Sequence, residues 1–139
     1  MATRKSITLY HGTLLEKIPS ILKTGLDAGA GWGSYGGSGV FLSSSYKGAL
    51  YWAKVSFLAS KGEKMESSRF DRKYSPKILA VVKVTIPQTH FKYLKADMEQ
   101  AEDFEEGYEK DEWEKSLRIA GDVMYIRKIP PAWIRIVKS

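Results

Sequence analysis

The feature that most constrains the fold is a run of apolar and β-branched residues at positions 78–86. It reads I-L-A-V-V-K-V-T-I, and β-branched side chains pack well on the pleated surface of a sheet. The run therefore predicts a central strand in a fold that is built around a β-sheet. Shorter patterns predict further strands at residues 6–10, 40–42, 123–126 and 134–137.

Helices are predicted between these strands. Pro19 suits the first turn of a short helix and Gly25 its C-terminal cap, the positions at which these residues are favoured. Ser44 or Ser45 can cap a second helix that runs through residues 49–57. Few helices interrupt the strands, so the fold class that we predict is α+β with a mostly antiparallel sheet. A chain of 139 residues fits a single domain over positions 1–139, and the polar stretch 61–76 is predicted to be a surface excursion.

Charge is distributed very unevenly along the chain. Ten acidic residues lie between positions 97 and 114 against Lys110 alone, although the whole chain has a formal net charge of +6. We predict that residues 97–116 form a helical acidic lobe. The remaining, strongly basic body would attract anions such as nucleic acid or a dinucleotide, with the acidic lobe competing for the same face. The alternative is a solvated acidic helix and scattered surface lysines.

Composition excludes several classes of chemistry. The chain has no cysteine and only 2 histidines, which rules out disulfides, thiolate metal sites, cysteine nucleophiles and a polyhistidine centre, so we expect no metal. No apolar run approaches the ~18–20 residues of a membrane span, and the basic start at residues 1–5 lacks the pattern of a signal peptide. We expect a cytoplasmic monomer with no membrane partner; export without a signal peptide is the alternative.

A glycine-rich segment precedes the second strand. Residues 29–39 contain six of the chain's 12 glycines, and this predicts a mobile loop that closes over a ligand through Trp32 and Tyr35. The same segment matches the G-x-G-x-x-G pattern at residues 31–36. A dinucleotide site of that type needs a strand before the motif and a helix after it, whereas here a strand follows, so we interpret the match as accidental.

Two short motifs suggest a ligand site. The first is L-Y-H-G-T, in which His11 and Gly12 are predicted to leave the end of the first strand. An imidazole beside an unobstructed glycine backbone can bind a sugar hydroxyl and a planar carboxamide, although a plain turn is the alternative. In the second motif, Phe41 and Tyr51 can form two walls of a slot for a flat ring, or belong to the core, as we expect for Trp52.

The order of these motifs resembles that of the ADP-ribosyltransferase superfamily. The shared series is the L-Y-H-G-T strand, the I-x-x-I-L-K-T-G-L helix, the glycine-rich loop, G-V-F-L-S and the helix that contains A-L-Y-W-A. The closer likeness is to the histidine–tyrosine–glutamate branch of diphtheria-type toxins and poly(ADP-ribose) polymerases, and it covers residues 7–51. The resemblance implies a split, mostly antiparallel β sandwich with short flanking helices that grips NAD in a central cleft.

The resemblance also implies roles for individual residues. His11 would contact the adenine-side ribose, Gly12 would hold the nicotinamide amide by its backbone, and Tyr51 would stack on the nicotinamide. Phe41 stands where many relatives have a second stacking tyrosine. The cofactor-binding set implied in this way is His11, Gly12, Thr13, Phe41, Ser43 and Tyr51.

The chain departs from the family pattern at the acid. Active relatives have a glutamate at the start of a late strand, which here reads G-D-V-M-Y-I from Gly121. Asp122 lies near that position with a side chain one methylene shorter, and another register would put Met124 there. Glu112 and Glu114, in the acidic lobe, are possible substitutes. The catalytic candidates are therefore Asp122, Glu112 and Glu114.

Three functions remain open on these grounds. The first is a mono-ADP-ribosyltransferase that uses NAD as substrate and modifies a protein or nucleic-acid acceptor. The second is a non-catalytic module or sensor that binds NAD or a related nucleotide. The third is an RNA 2′-phosphotransferase-like enzyme, which shares the family fold. Small size further suggests, by analogy alone, a toxin-like or phage effector.

Overall fold

The computed structural model describes residues 5–27, 39–98 and 101–137. The predicted mobile loop at 29–39 lies outside this part of the chain except for Gly39, and so does the G-x-G-x-x-G match. The strands are β1 (Ser6–Leu14), β2 (Val40–Ser43), β3 (Leu79–Pro87), β4 (Leu94–Ala96), β5 (Asp122–Tyr125) and β6 (Ile134–Ile136). The α-helices are α1 (Ile18–Thr24), α2 (Tyr46–Ser60), α3 (Ser67–Lys73) and α4 (Trp113–Ile119).

The strands form one sheet in the order β4-β5-β2-β1-β3-β6, and every neighbouring pair is antiparallel. The predicted class, α+β with an antiparallel sheet, is therefore confirmed. β1 pairs with β3 along its whole length, from Ser6 opposite Pro87 to Leu14 opposite Leu79. In contrast, β1 pairs with β2 only at Tyr10 opposite Ser43. The sheet thus consists of two three-stranded halves that meet at a narrow junction.

Alternation along the strands separates two faces of the sheet. One face forms the main core, in which Leu9, Leu42 and Val123 are buried on three adjacent strands together with Ile18 and Ile21 of α1. The other face is covered by α2 and α3, where Ala53, Leu58 and Phe70 form a smaller cluster. Side chains of β2 and β5 that point away from the main core, such as Phe41 and Asp122, therefore face the side on which α2 packs.

The helix boundaries follow the predicted caps. Gly25 ends α1 with φ of 87° and donates its N–H to the Ile21 carbonyl, a conformation that a residue with a Cβ adopts with difficulty. Ser45 caps α2, and its Oγ accepts from the Gly48 N–H at 3.0 Å. None of the described helices is both long and apolar enough to cross a membrane.

The first strand is longer than predicted. His11 and Gly12 do not leave its end; they lie inside β1, opposite Val82 and Val81 of β3. The pairing with β3 continues because that strand is apolar and long enough to cover residues 11–14. The interpretation of His-Gly as a turn after the strand is therefore wrong.

The polar stretch at 61–76 contains more structure than a surface excursion. It includes α3, whose Phe70 is fully buried against Phe57 of α2. Glu63 accepts hydrogen bonds from Arg69, Lys73 and the Tyr74 hydroxyl. The bonds from Lys73 and Tyr74 lower the pKa of Glu63 to about 2. The carboxylate thus ties the end of α2 to α3.

The acidic segment is not the helix that the sequence suggested. Its described residues form one short 3₁₀ turn at Ala101–Asp103, and then turns and bends until α4 begins at Trp113. Bases from outside the segment neutralise part of its charge. Lys95 contacts Asp111 at 2.7 Å, and Arg118 contacts Glu106 at 3.0 Å.

Candidate functional site

A cavity of about 70 Å³ lies where β1, β2 and α2 meet, next to the narrow junction of the sheet. It contains four of the six predicted cofactor-binding residues. Its lining is Tyr10, His11, Gly12, Phe41, Ser43, Ala49, Trp52 and Ser56. Pockets for drug-sized ligands usually measure ~300–1,000 Å³. The cavity as it stands therefore suits one ring or one polar group of a larger ligand.

Gly12 sets the distance between β1 and α2. A Cβ at this position would lie 2.1 Å from the Ala49 carbonyl oxygen and 2.8 Å from the Ala53 Cβ. These atoms belong to the backbone and short side chains of α2, so they cannot move aside without moving the helix. The absence of a side chain at Gly12 is what allows α2 to form one wall of the cavity.

His11 is oriented by the neighbouring strand. Its Nδ1 lies 2.8 Å from the Phe41 carbonyl oxygen, and because a carbonyl can only accept, Nδ1 carries the proton of this bond. Burial of the ring lowers the pKa of His11, and the positive charge of Lys17 acts in the same direction, whereas the bond to Phe41 opposes them. In the neutral ring Nε2 is a hydrogen-bond acceptor, which is suited to a ligand hydroxyl.

The aromatic walls differ from the predicted pair. Phe41 packs against Trp52, with ring centroids 5.3 Å apart and planes at 55°. Tyr51 is 44% exposed and contacts the edge of Trp52 at a centroid distance of 5.0 Å, but it does not line the cavity. Thr13 does not line it either. The indole of Trp52, which the sequence suggested as a core residue, thus takes the place expected for Tyr51.

Asp122 lies directly behind this wall. It opens β5 opposite Ser43 in the register and is only 3% exposed. Its Oδ1 accepts from the Ser43 hydroxyl at 2.7 Å, and its Oδ2 accepts from Trp52 Nε1 at 3.0 Å. Both donors line the cavity, so the carboxylate is separated from the space that a ligand could occupy by these two side chains.

The other two acid candidates lie on the surface, at the start of α4. Glu112 is exposed, and its Oε1 accepts from the Glu109 N–H at 2.8 Å. Its Oε2 is 3.9 Å from Lys115 Nζ. Glu114 is exposed in the first turn of the helix. Neither lines the cavity, so Asp122 is the predicted acid that the fold brings to the other site residues.

The sequence contains a signal for the lining residues that the sequence analysis did not assign to the site. Ala49, Trp52 and Ser56 are spaced as residues on one face of a helix, and Ala49 is the residue that contacts Gly12. Helical phase therefore turns Trp52 towards β1 and Tyr51 away from it. Tyr10, the fourth residue missed, lies at the junction itself, opposite Ser43.

Two sequence comparisons give no family for this chain. No family model matches the chain, and a search of curated proteins found no similar protein. In chemical terms the site offers a hydrogen-bond acceptor at His11, two aromatic rings and a buried carboxylate. Such a set can bind a flat polar ring, a sugar hydroxyl and a developing positive charge.

Proposed function

We propose that the chain binds NAD at this cavity and transfers its ADP-ribosyl group to a protein or nucleic-acid acceptor. The observation that carries the proposal is a single cavity lined by His11, Phe41 and Trp52. Asp122 accepts a hydrogen bond from Trp52 in the wall of this cavity. These residues come from four different elements, β1, β2, α2 and β5. They are the positions at which the resemblance implies the ligand and acid contacts, with Trp52 instead of Tyr51 as the inner ring.

The narrow junction of the sheet supports the finer description of the fold. β2 pairs with β1 only at Tyr10 opposite Ser43, so within the described residues no strand covers this edge of β1 at Gly12. An uncovered strand edge is suited to hold a planar carboxamide through backbone groups. We therefore propose the split β sandwich of the ADP-ribosyltransferases, with the nicotinamide amide against Gly12.

The chemistry follows from this placement. The bond between the ribose carbon and the nicotinamide nitrogen breaks, and nicotinamide leaves as a neutral ring with the bonding electron pair. The ribose becomes positively charged, and a nearby carboxylate stabilises that charge. The acceptor then forms a bond to the same carbon and releases a proton to water. Asp122 is the group that we assign to charge stabilisation, and the other residues position the dinucleotide.

Replacing the carboxylate of Asp122 tests the enzymatic function. We expect Asp122→Asn to lower NAD turnover by at least ~100-fold, as for the loss of one electrostatic stabiliser, with little change in NAD affinity. Turnover would be followed as release of nicotinamide in the presence of a cell lysate, and affinity by calorimetry. Labelled NAD would show whether protein or nucleic acid receives the label.

The control for this experiment is Ser43→Ala. It removes the hydroxyl that donates to Asp122 but leaves the carboxylate in place, so it should retain most of the turnover. Full turnover in Asp122→Asn would exclude Asp122 as the acid. Equal losses of turnover in both variants would mean that turnover depends on the hydrogen bond between Ser43 and Asp122 and not on the charge of Asp122.

A second candidate function is NAD binding without catalysis. It is favoured by the state of Asp122, which is almost fully buried and accepts bonds from Ser43 and Trp52. A carboxylate held in this way can serve to fix Trp52 in the wall of the cavity. Saturable binding of NAD to the wild type, with no nicotinamide release in any acceptor pool, would favour this second function.

A further inference from the structure

A second cavity, of about 620 Å³, lies at the C-terminal end of β5. Its walls include four rings and two cations, namely His90, Tyr93, Tyr125, Arg127, Lys128 and Trp133. Tyr125 points into the main core, on the face of the sheet opposite to that of Asp122. The two cavities have no described lining residue in common. The second cavity is therefore separate from the proposed NAD site.

The rings in this cavity form a connected set. His90 meets Trp133 edge to face, with centroids 4.9 Å apart and planes at 73°. Tyr125 contacts Trp133 at 6.2 Å and Tyr93 at 6.1 Å, also edge to face. Tyr125 is almost fully buried and forms the floor, whereas Trp133 and His90 are partly exposed. The arrangement leaves flat aromatic surface open to a ligand.

The charge of the cavity selects the kind of ligand. Arg127 and Lys128 are exposed in its wall, and Lys92 lies beside it with Nζ 5.3 Å from the Tyr93 ring centroid. Among the residues that the structure describes, no acidic one belongs to this lining. Arg127 also lies over Tyr93, at 5.0 Å. Such a site repels cationic ligands and favours an anion that has a flat ring.

The walls are fixed by backbone bonds before any ligand binds. Leu26 and Ile129 exchange two hydrogen bonds of 2.9 and 2.8 Å, which anchor the segment after Lys128 to the end of α1. Ile126 donates to the Tyr93 carbonyl at 3.0 Å, and Trp133 donates to that of Pro130 at 3.1 Å. A preformed site loses less conformational entropy when it binds.

We propose that this cavity binds a segment of single-stranded nucleic acid. Proteins that bind single strands combine a basic groove for the phosphates with aromatic rings on which the bases stack, and the volume falls within the ~300–1,000 Å³ range of ligand pockets. Trp133 and His90 supply the stacking surface, while Arg127 and Lys128 contact phosphates. The proposal does not depend on NAD, because it concerns other residues and a different ligand.

Fluorescence anisotropy with labelled RNA and DNA single strands of about ten nucleotides tests the proposal on the full chain. We expect saturable binding that weakens with salt, and Trp133→Leu should weaken it at least about fivefold. Trp133→Phe keeps a ring and should retain most of the affinity. Arg127→Ala should lower the slope of log affinity against log salt by about 1.

Arg72→Ala is the matched charge control, because Arg72 is an exposed arginine of α3, outside this cavity. If it reduced affinity and salt slope as much as Arg127→Ala does, binding would be a general effect of the basic surface and the site would be rejected. Equal affinity of Trp133→Leu and wild type would reject stacking at this cavity. Binding of AMP as tight as that of the single strand would reject a nucleic-acid segment in favour of a mononucleotide.

Discussion

The protonation state of His11 determines whether the proposed NAD site has a hydrogen-bond acceptor for a ligand hydroxyl. Because Nδ1 donates to the Phe41 carbonyl, Nε2 is an acceptor only while the ring is neutral. Burial, aided by Lys17, lowers the pKa of His11 below its ordinary value of 6.5. The folded protein therefore keeps this acceptor at pH values at which a solvent-exposed histidine is already charged.

The same pKa shift predicts how stability depends on pH. Above pH 6.5 the ring is neutral in both the folded and the unfolded state, so it does not make the unfolding free energy depend on pH. As the pH falls below 6.5 the unfolded chain takes up a proton while the folded ring stays neutral, so the free energy of unfolding decreases. We expect His11→Asn, which has an amide donor for Phe41 but does not titrate, to reduce this decrease in urea titrations.

His90→Gln is the control, since it removes the only other histidine and leaves His11 in place. It should keep the decrease in unfolding free energy below pH 6.5. A decrease that disappears in His90→Gln and persists in His11→Asn would contradict the assignment. Loss of the Glu63 interactions belongs to a lower range, between pH 4.5 and about 2, so it does not interfere.

Four residues of the cavity could be predicted from short sequence motifs, but the residues that pack beside them could not. His11, Gly12, Phe41 and Ser43 line the cavity as the motifs suggested. Trp52 was interpreted as a core residue and Tyr51 as the cavity ring because the spacing along α2 does not show which face of the helix meets β1. That face depends on the contact between Gly12 and Ala49, which joins residues far apart in the sequence.

At the scale of elements, the approach of α2 to β1 is the contact that forms the site. The helix covers β1 at Gly12, where a Cβ would overlap the Ala49 carbonyl oxygen. It presents Trp52 to Phe41 and to Asp122. The position of the helix thus determines both the width of the cavity and the hydrogen bond to the carboxylate.

Gly12→Ala tests this dependence. We expect the added methyl group to displace α2 and to lower the unfolding free energy by about 1–3 kcal/mol, as is usual when a packed interior receives extra volume. The matched control is Gly48→Ala, whose Cβ would meet only side-chain atoms at longer distances, the Ser45 Oγ at 3.2 Å and the Ser43 Cβ at 3.3 Å. Urea unfolding of both variants measures the difference, and an equal or larger loss in Gly48→Ala would contradict the argument.

The prediction of helix ends succeeded because neighbouring residues determine them. The prediction of a helix in the acidic segment failed because contacts with distant residues determine its conformation. Gly25 and Ser45 end and begin their helices as predicted, because caps act through neighbouring backbone groups. In the acidic segment, Glu105 and Glu109 are like charges four residues apart, which disfavours a helix, and Gly107 has φ of +63°. A buried polar network determines the conformation of the segment instead, and the sequence does not show it.

For the whole molecule, this network joins the acidic segment to the half of the sheet that contains Asp122. The Ser116 hydroxyl donates to the Asp122 carbonyl at 2.7 Å and accepts from the Asp97 N–H at 2.9 Å. The Tyr108 hydroxyl donates to the Asp97 carbonyl at 2.7 Å. These groups are buried, and they belong to the β4-β5-β2 half, whose strand pairing with the other half of the sheet is limited to Tyr10 opposite Ser43.

Ser116→Ala should therefore loosen one half of the molecule and not the other. The change leaves the buried Asp97 N–H without this acceptor, and a lost buried partner costs about 1–3 kcal/mol. We expect faster amide hydrogen exchange at β4, β5 and residues 103–112, while protection of β1 and β3 is unchanged, because the ladder between β1 and β2 is limited to one residue pair. Ser60→Ala, which removes an exposed serine hydroxyl of α2, is the control and should leave the exchange of both halves unchanged. Equal loss of protection across β1, β3 and β5 in Ser116→Ala would mean that the sheet opens as one cooperative unit despite its narrow junction.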